Sequence, residues 1–139
     1  MRWIRLNAVI IAAGMLGIVS SREAIAQVQG PPTNIRQSLR TDLAGMSDQE
    51  TLVHIFEFAA NRGTSWHIHP DGHEISYVLE GIWISEADGR ETKKLKPGDS
   101  LYTPPNVPHR GYNDATGPSK ILVVRIKPKS MPITTPFVR

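Results

Sequence analysis

From residue 51 onward, short runs of β-branched and aromatic residues alternate with glycine- and proline-rich turns, and no stretch carries the period of a long helix. Thr51–Phe58 reads as a strand that puts His54, Phe56 and Phe58 on one face and Val53, Ile55 and Glu57 on the other. Further strands are predicted around 67–69 and over 75–79, 82–85, 91–95, 100–103, 109–113 and 121–126, with Asp88-Gly89 as a hairpin tip. About eight short strands of this kind indicate an all-β sandwich or barrel.

Within that frame, residues 63–81 carry the chemistry. His67 and His69 stand two residues apart, so on a strand they share a face, while Trp66 and Ile68 share the other. Pro70-Asp71-Gly72 has turn chemistry and can fold the chain back to bring Glu74 beside both imidazoles. Two neutral imidazoles and a carboxylate are three of the ligands a divalent metal takes. Glu74 has a rival in its neighbour His73; the six residues between Glu74 and Gly81 favour Glu74.

Composition narrows the rest. The 139 residues suggest one domain, and a hydrophobic fraction of 40% is enough for one core. Residues 1–26 read as a signal peptide: Arg2 and Arg5 precede an apolar run, Leu6–Val19, and Ala24-Ile25-Ala26 is a cleavage site. The run of 14 residues is short for a membrane span, so export to the periplasm or beyond is expected, with no membrane partner after cleavage. Removing that segment takes away Arg2, Arg5, Arg22 and Glu23 and lowers the formal charge from +3 to +1. A near-neutral domain makes no case for nucleic acid, and Lys93-Lys94-Leu95-Lys96 reads as a solvated strand edge. With no cysteine, disulfides, thiolate ligands and a cysteine nucleophile are excluded. Residues 27–50 are expected to form an extended polar arm with a short helical turn near Asp48–Thr51. The barrel is expected over 51–127, and 128–139 as a proline-rich tail.

A fourth ligand is available downstream. His109 follows the rigid loop Pro104-Pro105-Asn106-Val107-Pro108, and an antiparallel roll can lay its strand beside that of His67 and His69. Here the chain resembles the cupins. Their first motif, G(X)5HXH(X)3,4E(X)6G, is matched by His67, His69, Glu74 and Gly81, although Gly63 lies too close to His67. Their second, G(X)5PXG(X)2H(X)3N, is matched by Gly98, Pro104, His109 and Asn113, with Asn106 in place of glycine. Asparagine suits that position if its backbone is left-handed. The resemblance implies an antiparallel jelly roll with a metal inside it, held by His67, His69, His109 and Glu74.

Such a donor set leaves one or two positions open on a six-coordinate metal and suits iron, manganese, nickel, copper or zinc. The expected activity is that of a small-molecule metalloenzyme. Dioxygenase-like oxidation comes first, and lyase, isomerase or decarboxylase chemistry next. The alternative is an exported cupin that binds metal or a small ligand without turnover. His54 either lines the pocket as an acid/base catalyst or is a structural strand residue. Catalysis predicts a pocket open to the metal with an ionisable group nearby; simple binding predicts a sealed or very small cavity. Cupins commonly pair through sheets and terminal arms, so a homodimer is expected.

Overall fold

The computed structural model describes residues 30–114 and 117–139; the signal-peptide segment lies outside them. The strands are β1 (Asn34–Leu43), β2 (Met46–Phe58), β3 (His67–Ile68), β4 (His73–Glu80), β5 (Trp83–Ala87), β6 (Lys93–Leu95), β7 (Ser100–Thr103), β8 (His109–Asn113), β9 (Ser119–Pro128) and β10 (Thr135–Pro136). They form two five-stranded antiparallel sheets, ordered β1-β2-β9-β4-β7 and β10-β3-β8-β5-β6. No helix occurs among the described residues. The all-β fold expected from the turn pattern, and the antiparallel jelly roll that the resemblance implies, are what is observed.

Register stacks the interior of the first sheet in layers. Phe56, Ile121 and Val78 lie side by side across β2, β9 and β4. One row further, His54, Val123, Ser76 and Leu101 are neighbours. The next row is Leu52, Arg125, Glu74 and Thr103. The barrel is therefore apolar at one end, where Phe58, Val78, Trp83, Leu95, Ile121 and Val123 form the core, and ionic toward the other. Phe58 and Trp83 anchor the apolar end, their ring centroids 4.6 Å apart. A Cβ at Gly111 would overlap the Trp83 ring, so the glycine lets β8 lie flat on the core. Beyond the ionic row, Glu50 is buried with Lys127 Nζ at 2.9 Å and Arg40 Nε at 2.8 Å.

The upstream segment differs from expectation. Residues 34–43 of the expected extended arm form a full edge strand, and residues 48–51 lie inside β2 rather than in a helical turn. The chain reverses between Leu43 and Met46, where Gly45 has φ +79°. Pairing with β1 and β9 satisfies the backbone of β2, and burial of Glu50 against two cations overrides the local polarity that suggested a turn. The barrel thus extends upstream of residue 51. The tail is ordered along an edge: β10 pairs with β3, and Phe137 N donates to Trp66 O at 3.0 Å. Among the described residues Lys93–Leu95 is an edge strand paired with β5, as the lysine cluster suggested.

Candidate metal centre

His67 and His109 are direct cross-strand partners between β3 and β8, which sets their rings 4.3 Å apart by centroid. His69, just past β3, completes a triangle at 4.9 Å from His67 and 5.0 Å from His109. All three rings are buried, and one ligand nitrogen from each lies within 4.8 Å of the others. Two loops hold this arrangement. Asn106, with φ +62°, donates its backbone N–H to His69 O at 3.1 Å, and its side-chain amide pairs with Asp71. The left-handed backbone that asparagine tolerates is present there, and the amide ties the HxH loop to the proline loop in a way glycine could not.

The ring orientations are settled by backbone carbonyls. His67 Nδ1 lies 2.7 Å from Ser65 O, His109 Nδ1 2.8 Å from Val107 O, and His69 Nδ1 2.5 Å from Ile133 O. A carbonyl only accepts, so Nδ1 carries the proton in each neutral ring and Nε2 presents a lone pair. The Nε2 atoms of His69 and His109 are buried without a hydrogen-bond partner. Yet His69 Nε2 lies 2.8 Å from Glu74 Oε2, and His109 Nε2 lies 3.7 Å from Glu74 Oε1. Lone pairs at that separation require a shared cation, either a proton on the ring or a metal ion. The donor chemistry fits a divalent metal, with carbonyl-oriented imidazoles of the kind metal sites use.

Glu74 comes from the opposite sheet. Its cross-strand partner on β9 is Arg125, whose Nη2 is 2.8 Å from Glu74 Oε2; Ser76 Oγ donates to Oε1 at 3.1 Å. Burial opposes ionisation of Glu74, but Arg125 and then His109 and His69 more than offset it and hold the carboxyl well below its usual range. Burial, and next the charge of His109, holds His67 down at about 4. His73 starts β4 with the opposite orientation: it is exposed and bonded to Tyr102 Oη at 2.7 Å, away from the cluster.

Two spaces adjoin the cluster. One, of about 50 Å³, lies within the barrel beside His67, Glu74, His109 and Arg125, with room for water but not for an organic ligand. The second is an open cleft of about 380 Å³ with His67 and Arg125 in its wall, together with His54, Phe56, Trp66 and Ile133. His54 is buried, its Nδ1 has no partner, and burial followed by the charge of Arg125 lowers its pKa. Two cations lie over the Trp66 ring, Arg139 at 4.5 Å and Arg110 at 5.4 Å from its centroid. Arg110 is half-buried and bonded to Glu86 at 2.7 Å.

Sequence reasoning missed Arg125, Ser76 and the Ile133 carbonyl. For Arg125 a signal existed: in Ile121–Lys127 every second residue points inward, which places Arg125 in line with Ile121 and Val123. Nothing in the sequence ties Ile133 to His69, 64 residues away.

Comparison with known proteins adds the lineage. Residues 54–125 match the Cupin domain family, Cupin_2. The uncharacterized protein MJ1618 of Methanocaldococcus jannaschii is 39% identical over 67 residues, covering 48% of this chain and 53% of that protein. The chain thus spans about half the length of that relative. YdbB of Bacillus subtilis, also uncharacterized, is 35% identical over 77 residues, 55% of this chain and 68% of that protein. A double-stranded β-helix protein of Klebsiella pneumoniae superposes with a TM-score of 0.62 at 21% identity, over 80% of this chain and 88% of that one. The DMSP lyase DddQ of Ruegeria pomeroyi gives 0.56 at 23% identity, over 66% of this chain and 44% of that one. Both structures are alike in fold. With a family match across the barrel, and the histidine cluster inside it, this chain belongs to the cupin family.

Proposed function

We propose that the protein is a metal-dependent enzyme acting on a small organic molecule. The metal would be held by His67, His69, His109 and Glu74. The observation that carries this reading is the convergence of the imidazole nitrogens beside an open cleft walled by a second ionisable side chain, His54. When bound, a divalent metal there supplies Lewis acidity, and iron would add oxygen chemistry. His54, whose pKa burial lowers, lines the cleft and is the candidate to take a proton from a ligand there. Phe56, Trp66 and Ile133 shield the ligand from water.

Oxygenative cleavage is the first reaction to test, since nitrogen and oxygen ligands without thiolate suit iron. The base-competent His54 favours a second reading, proton-transfer chemistry of the lyase, isomerase or decarboxylase kind. The alternative of a cupin without turnover is disfavoured by the open cleft. Metal analysis of the purified protein, followed by turnover screens with and without oxygen, tests these readings. About one transition metal per chain and oxygen-dependent product support the first; the same product without oxygen supports the second. Protein that cannot be loaded with metal removes both.

We also propose export, with cleavage after Ala26, on the strength of the N-terminal pattern; the mass of the mature chain from a native host tests it. A homodimer is supported by the outer face of the first sheet. Leu39, Val53, Val124, Ile75 and Tyr102 form one apolar row across its five strands, with Leu39, Ile75 and Tyr102 exposed.

A further inference from the structure

We infer that the ligand of this site is a small organic acid with an apolar body, and that Arg125 binds its carboxylate. The inference rests on the metal-enzyme reading and names the substrate class. Arg125 is 7% exposed and lines both the inner cavity and the cleft. Its Nη2 is committed to Glu74, but its Nε is buried with no hydrogen-bond partner. The guanidinium lies 5.5 Å from the Phe56 ring centroid, an apolar neighbour that supplies no acceptor. A buried guanidinium with an unmet N–H is costly unless an anion completes it.

Charge balance points the same way. Histidines bind a metal as neutral ligands, and Glu74 and Arg125 cancel. A divalent cation would therefore leave the site at +2, and the adjacent Glu50, with Lys127 and Arg40 both bonded to it, adds no negative excess. A neutral ligand leaves that charge uncompensated; a carboxylate reduces it and matches the planar fork of the guanidinium. Among the residues lining the cleft, Arg125 is the one arginine or lysine, which suits a single carboxylate better than a phosphate. Ile35, Phe56, Trp66, Ile133 and Pro136 give the cleft an apolar stretch beside the hydroxyls of Thr64, Ser65 and Thr134, and about 380 Å³ accommodates a small hydrocarbon or aromatic body.

The test is calorimetric titration of the zinc-loaded chain with benzoate and with benzamide, after zinc content has been measured. Benzoate is expected to bind at least about tenfold more tightly than benzamide. Arg125→Gln should abolish that preference. Arg125→Lys, which keeps the charge beside Glu74 and guards against a folding defect, should reduce it severalfold. Equal binding of the two probes by zinc-loaded wild type overturns the inference and leaves the metal reading standing. So does an unchanged preference in Arg125→Lys and Arg125→Gln, which would assign the carboxylate to the metal. Inorganic phosphate that displaces benzoate with higher affinity replaces the carboxylate by a phosphate and overturns it too. Failure to load zinc, with the preference intact in wild type and abolished in Arg125→Gln, removes the metal reading but upholds Arg125 as the carboxylate-binding residue.

Discussion

Acid should destabilise the metal-free protein through His67, and the size of the effect follows from its burial. An unfolded chain protonates this ring at the ordinary histidine value of 6.5, whereas the folded chain holds it at about 4. The folded pKa is the lower one, so the unfolded state binds the proton first as pH falls. The stabilisation is complete above 6.5 and is lost as pH drops from 6.5 toward 4. At about 1.4 kcal/mol per unit, the full loss is about 3 kcal/mol, of which about 2 kcal/mol is gone by pH 5. The ring is 8% exposed, so solvent screening takes little from that figure. His54 shifts in the same direction, so the His67 share is read as the difference between wild type and His67→Asn. Urea unfolding of chelator-treated protein at pH 7.5 and 5 measures it, with a constant m-value as the control. Wild type should lose about 2 kcal/mol more than the variant between these conditions. Equal losses would refute the claim that burial of a neutral His67 governs this dependence.

Further outcomes follow from the same structure. His109→Ala should drop metal content well below one per chain, and adding or chelating zinc should no longer shift its melting temperature, because metal stabilises only the folded state that binds it. Deleting residues 129–139 removes the Ile133 carbonyl that orients His69; zinc affinity measured by competition should fall about 10- to 100-fold. Asn113→Ala should cost about 2–3 kcal/mol in urea unfolding, since Asn113 is fully buried and its amide bonds Ala59 O and Gly117 O at 2.8 Å each. Ile75→Arg, in the middle of the exposed apolar row, should convert a dimer to a monomer by light scattering with little change in monomer stability; an unaltered mass would place the contact elsewhere.

The motif residues show why one part of the site was readable. His67, His69, Glu74 and His109 sit at spacings that strand periodicity and a single turn turn into proximity, and the structure brings them to one place. Asn113 was readable only as a motif match. Its job is structural: it ties the end of β2 to the loop before β9. β1 was unreadable because its side chains are largely exposed, so no buried face imposes alternation on its sequence. The aromatic residues divided by sheet face, with Phe58 and Trp83 inside and Tyr77 and Tyr102 outside.

By itself the sequence determined the fold class, the turns downstream of β2 and the set of metal-type side chains, because these depend on periods of two and on residues close along the chain. Only the tertiary structure decided the electrostatics of the site. Glu74 meets Arg125 because β4 lies beside β9, and His69 is aimed by a carbonyl from the far end of the chain. Those contacts are made by sheet register and by the packing of one sheet on the other. Local propensity contains no record of which strands will be neighbours.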